Sequence, residues 1–212
     1  MKKISALLLL LFISLGMTAF HPVAEPFEGT IHYETSTTGA VPKFVTDRLA
    51  KHYDLSFKNN DVSIKGVAPL KGKIYIKKDA GKMYIVRTDQ KNIYEFDLND
   101  KRFPENVSQP VVTRTKETLV ISGYTCHKYL VEYTKNIKLY AWTTQTINVE
   151  DWRGDVLFGN QVKLPEKIDG FPLKIQFVSP IFTMTYVATV VKPAALDPAE
   201  FILPEGMALK KP

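Results

Sequence analysis

The chain has 212 residues and a mass of 24.0 kDa, of which 45% are hydrophobic, 11% aromatic and 24% charged. That composition excludes a disordered, a collagen-like and a multi-span membrane chain, and the length suffices to bury a sizeable core. The net charge is +6, yet only five basic residues are arginines (Arg48, Arg87, Arg102, Arg114 and Arg153) and the lysines are scattered, which is not the charge footprint of a nucleic-acid binder.

Residues 1–24 read as a secretory signal. Lys2 and Lys3 supply the positive start, Leu7 to Phe12 and on to Leu15 the apolar run, and Gly16 the break, with cleavage expected after Ala19 or Ala24. The run falls short of the ~20 apolar residues that a comfortable membrane-spanning helix needs. A lipoprotein would carry a cysteine just after this run, and Cys126 is the one cysteine in the chain. The expectation is a protein exported to the periplasm or secreted, with no stable membrane span, and not a lipoprotein. A lone thiol also rules out a disulfide within the monomer and a cysteine-based zinc site.

From Phe27 onward apolar and polar residues alternate in short runs: Ile31 and Tyr33; Ile74 and Ile76; Met83 and Ile85; Tyr94, Phe96 and Leu98. The alternation resumes at Tyr129, Val131 and Tyr133, at Tyr140 and Trp142, at Leu173, Ile175 and Phe177, and from Phe182 to Val190. A period of two marks half-buried strands. Turn signals at 59–61, 79–81, 88–90, 99–100 and 122–123 separate the runs and predict antiparallel hairpins. With no linker, repeat or low-complexity tract, residues 25–212 read as one β domain.

Two segments break the period. Val41 to His52 sets Phe44, Val45, Leu49 and His52 at helical spacing behind Pro42, which suits a first helical turn. Asn148 to Phe158 sets Val149, Trp152 and Val156 at i, i+3 and i+7, with Asn148 as a candidate N-cap. Each predicts an amphipathic helix that must lie on the sheet. The expected fold is mainly β, of the α+β kind: a large curved antiparallel sheet or unclosed β-barrel with one or two helices on its concave side.

Catalytic and metal patterns are missing from the sequence. His21, His32, His52 and His127 show no HxH or HExxH spacing, and there is neither a GxSxG elbow nor a glycine-rich phosphate loop. Asp151 and Asp155 are helical neighbours beside Arg153 and read as a solvated face. The expectation is a protein that is not an enzyme and uses no cofactor and no metal.

Several blocks together carry a resemblance: Phe27-Glu28-Gly29-Thr30-Ile31-His32-Tyr33, the run from Ile121 to Tyr129, Leu139 to Thr144 with Ile147, Gly170 to Lys174, and Phe201 to Met207. In this order they resemble exported Bacteroidota proteins of unknown function with a fold like that of the periplasmic lipoprotein carriers. The resemblance implies an unclosed antiparallel barrel with helices plugging its concave side. The carriers themselves have a hydrophobic cavity.

The functional expectation is an exported binding protein that holds a lipid, or a lipoprotein acyl chain, in a β-cavity under helical lids. Phe44, Val45, Leu49, Trp152, Met184 and Tyr186 are the expected lining. The rival expectation is a cell-envelope structural or protein-interaction module with a filled core and an envelope protein as partner. Sequencing the N-terminus of protein taken from its native envelope should show a start at residue 20 or 25; an intact Met1 in the mature pool would overturn the signal assignment.

Overall fold

The structure, a computed structural model, describes residues 25–47, 49–67, 69–98, 110–149 and 164–211. Alternating segments become strands, and two-residue turns join several of them. Strands β1 (Gly29–Gly39), β2 (His52–Lys58), β3 (Asp61–Lys65), β4 (Gly72–Lys77), β5 (Lys82–Arg87) and β6 (Asn92–Asp97) form one meander. A second runs through β7 (Val111–Ile121), β8 (Tyr124–Thr134), β9 (Ile137–Thr144), β10 (Phe171–Val178) and β11 (Phe182–Pro193). At the β7–β8 hairpin Ser122 and Gly123 take φ of 48° and 85°, the left-handed pair that a tight two-residue turn demands.

The meanders join where β1 lies antiparallel to β11, in register from Gly29↔Pro193 to Gly39↔Phe182. The result is one unclosed sheet in the order β12-β6-β5-β4-β3-β2-β1-β11-β10-β9-β8-β7. All neighbours are antiparallel except the short β12 (Ala208–Lys210), which runs parallel to β6. Pro172 sits inside β10 at a register shift between Pro172 and Lys174, where a strand tolerates a residue without an N–H.

Register defines the concave face. Ile31, Leu55, Ile64 and Ile74 face one another across β1 to β4, and Phe57, Val62, Ile76 and Met83 make the next row. In the other half, Tyr129, Ala141, Ile175 and Tyr186 form a row across β8 to β11. These side chains are buried and belong to a continuous core. Apart from Ala141, each contributes about 1.5–3 kcal/mol, the gain for a fully buried large apolar group. On the opposite face of β3 to β6, Tyr75, Val86 and Ile93 are buried against Leu203 and Met207 of the C-terminal segment. A 3-10 turn, Pro198–Phe201, starts there with Asp197 capping the Ala199 amide, and Phe201 is buried.

The expectation of one or two helices on the concave side is overturned. Among the described residues the helical elements are one turn, α1 (Lys43–Thr46), and the 3-10 turn, and neither is a helix laid on the concave face. Four residues make too few intrahelical bonds to offset the cost of nucleation, and α1 has no side-chain N-cap. The rest of the segment serves the sheet instead. His52, expected at the helix end, opens β2 opposite Glu34, and the Thr35 amide bonds to the Lys51 carbonyl oxygen at 2.8 Å. Most of the second expected helix, from 150 to 158, lies outside the described residues. What packs against the core is loop: Leu49 and Ala50 before β2, Val67 and Leu70 before β4, and Ile147, Leu164 and Ile168 between β9 and β10.

Candidate functional site

The centre of the concave face holds three tyrosines on the three central strands. Tyr33 of β1 stands opposite Tyr53 of β2, and their rings stack with centroids 5.2 Å apart and planes 6° from parallel. Tyr186 of β11 meets the Tyr53 ring edge-on at 6.3 Å and stands opposite Thr35 of β1 in register. Period two puts Thr35 on the same face as Tyr33. All three rings are buried, so the cluster is part of the core and also brings hydroxyls into it.

The hydroxyls have different fates. Tyr33 Oη donates to the Pro172 carbonyl oxygen at 2.6 Å, a bond that ties β1 to the bulged start of β10. Tyr186 Oη donates to Met184 Sδ at 3.3 Å. Tyr53 Oη and Thr35 Oγ1 are buried without a hydrogen-bond partner. A buried polar group left unpaired costs about 1–3 kcal/mol. Burial raises the pKa of Tyr33, Tyr53 and Tyr186, with Tyr186 pushed up to about 12, so all three are neutral near neutral pH. The side chains buried among the described residues include no charged one. The cluster is therefore neutral and apolar with two unassigned hydroxyls.

The expected lining residues divide as follows. Met184 and Tyr186 are both buried and bonded to each other at this cluster. Val45 is buried in α1, and Leu49 is partly buried against the core. Trp152 lies outside the described residues, as does the side chain of Phe44. Tyr33, Tyr53 and Thr35 were not among the expected lining. The signal for Tyr33 was its place in the first alternating run. Tyr53 gave none, because the helix expected through His52 ended against it.

Three other features compete for a role. A cleft bordered by Phe27, Phe57, Val62, Asn148 and Val149 has a volume of about 10 Å³, room for one water. On the outer face Trp142 of β9 stands between cross-strand neighbours Lys128 and Lys174, whose ammonium groups lie 5.4 and 4.4 Å from its ring centroid. Lysine stems thus cover an indole on a solvent-facing strand surface, and cation–π attraction holds them there. Cys126 is a buried free thiol whose pKa burial pushes up to about 11, the reverse of an activated nucleophile. Among the described residues no three His, Cys, Asp or Glu side chains gather as metal ligands, and no helix is long and apolar enough to cross a membrane.

Residues 27–207 match the family model described as a domain of unknown function, DUF4412. No curated protein shows significant similarity to the chain. Among solved structures, an uncharacterized conserved protein from Thermus thermophilus is similar at 8% identity and a TM-score of 0.51, over 90% of this chain and 92% of that one. That likeness is one of fold, end to end in both chains. A LolA superfamily protein from Nitrosomonas europaea is similar at 10% identity and a TM-score of 0.36, over 84% and 90%. PNGF-II is similar at 15% identity and a TM-score of 0.48, over 88% of this chain; the chain spans only 31% of PNGF-II.

Two measurements check this description. Tyr53→Phe removes an unpartnered hydroxyl and should leave unfolding free energy unchanged or raise it by up to about 1 kcal/mol, whereas Tyr33→Phe should lower it by about 1–2 kcal/mol through the lost bond to Pro172. Urea titrations of both variants against the parent give the comparison; equal losses would refute it. The second concerns alkaline pH. Cys126 and Tyr186 titrate ordinarily at 9.0 and 10.0 but are pushed up to about 11 and about 12 by burial. The unfolded chain then releases these protons first, so their stabilisation is intact below pH 9 and is lost as pH rises towards 12. Urea midpoints should fall across that window, and less steeply in Tyr186→Phe.

Proposed function

We propose that this chain, which belongs to the DUF4412 family, is a non-enzymatic binding protein that takes an apolar ligand, a lipid or an acyl chain, against the concave face of its sheet. One observation carries the reading. The concave face is a continuous apolar surface on which, among the described residues, loop segments pack in place of a second sheet or a helical layer. Loops are held by fewer hydrogen bonds and fewer buried groups than strands, so they open at lower cost than a packed layer. Opening exposes Met184, Tyr186 and the neighbouring tyrosines to a ligand while the twelve-stranded sheet stays intact. Val45 and Leu49 belong to the covering segment in this reading, and Phe44 and Trp152 are proposed to complete it. Export to the periplasm or the exterior is part of this proposal and fits a carrier of apolar cargo that meets an envelope protein as donor or acceptor.

The rival reading, an envelope structural or interaction module with a filled core, is favoured by the small volume of the Phe27–Phe57 cleft. Native mass spectrometry of protein purified from its own envelope separates the two. The binding role predicts a retained mass of one acyl-bearing molecule per chain and saturable binding of diphenylhexatriene, a hydrocarbon fluorophore, by the stripped protein. An unliganded mass together with no fluorophore binding would leave the filled-core module.

A further inference from the structure

We infer that the Tyr53 and Thr35 hydroxyls receive the carbonyl oxygen of a neutral acyl ester, so that the cargo is an esterified lipid in place of a free fatty acid or a plain hydrocarbon. The inference rests on the binding role proposed above and names the polar end of its ligand. Tyr53 is only 5% exposed, yet its Oη has no partner, and Thr35 Oγ1 is in the same state. The two belong to one neighbourhood. Thr35 stands opposite Tyr186 across the β1–β11 ladder, and the Tyr186 ring meets the Tyr53 ring edge-on. The flanking hydroxyls are already engaged, Tyr33 on the Pro172 carbonyl and Tyr186 on Met184 Sδ.

The chemistry of the surroundings selects the ligand. Both free groups are hydroxyls, able to donate, and burial keeps the phenol of Tyr53 protonated. A hydrocarbon would leave them unpaired. A carboxylate would be stripped of water in a place where the buried described residues offer no cation, which disfavours the charged form. An amide would add an N–H in need of an acceptor. An ester carbonyl brings two lone pairs and no donor, which matches two hydroxyl donors, and its acyl chain would lie along the apolar rows through Leu55 and Ile175.

The test titrates the stripped full chain with 1-monopalmitoylglycerol, palmitate and diphenylhexatriene, comparing the parent with Tyr53→Phe and, as an independent isosteric change, Thr35→Val. The glycerol ester should bind the parent more tightly than palmitate at pH 8. Each variant should weaken ester binding by about fivefold, the effect of one neutral hydrogen bond, while diphenylhexatriene binds as tightly as before or tighter. If the fluorophore binds and ester affinity is unchanged in both variants, or palmitate binds more tightly than the ester, this assignment is wrong while the binding role stands. If neither ester nor fluorophore binds the parent, the binding role fails and the assignment falls with it.

Discussion

The ladder between β1 and β11 is the contact on which the sheet depends. Each meander is built from strands that are neighbours in sequence, and most of its hairpins close over short loops, the longer connections being those from β1 to β2 and from β9 to β10. Nothing local joins the two. Eleven register pairs between Gly29–Gly39 and Phe182–Pro193 do so, and these are the two longest strands of the central region. Bringing together segments some 150 residues apart carries the largest closure entropy in the fold. Two side-chain contacts reinforce the junction: Tyr33 reaches past β11 to the Pro172 carbonyl, and Glu28 accepts from both the Lys58 ammonium and the Leu196 amide.

The same junction gathers two of the three buried unpaired hydroxyls of the described residues, the third being Ser63 Oγ on β3. It places Tyr33, Tyr53, Tyr186 and Thr35 together at the middle of the concave face, where a core of aliphatic side chains would have packed without leaving hydroxyls unpaired. Two of the four hydroxyls find partners and two do not. Buried polar atoms that go unsatisfied are rare enough in folded proteins to call for a reason. A ligand that supplies the missing acceptor is a reason that also fits the neutral surroundings of the cluster.

A sheet this wide must protect two faces and two edges. The C-terminal segment covers the outer face of β3 to β6 with Phe201, Leu203 and Met207, and then adds β12 to the edge of β6. Across β8 to β10 the outer face is covered more lightly, by the lysine stems over Trp142 and by ion pairs such as Lys128 with Glu117. Among the described residues, loop segments pack against the core formed by the concave face.

The amino-acid sequence by itself determined most of the strands, though the runs of alternation identified in it do not include β2, β3, β7 and β12. Period two in runs such as Ile74 to Ile76 and Leu173 to Phe177, punctuated by residues able to take tight turns at 59–60 and 122–123, is a local property, and local geometry suffices to realise it. It also determined that Cys126 would be an unpaired thiol. The helix expected from Val41 to His52 failed for the converse reason. Helical spacing of Val45 and Leu49 is a local preference worth little over so short a stretch, and the hydrogen bonds that β1 offers to Lys51 and His52 outweighed it. Tertiary structure alone decided which strands would be central, and with them which hydroxyls would be left over. Tyr53 and Thr35 look like any strand tyrosine and threonine until β1 lies between β2 and β11. No periodicity along the chain can encode that, because it is set by pairing between segments at its opposite ends.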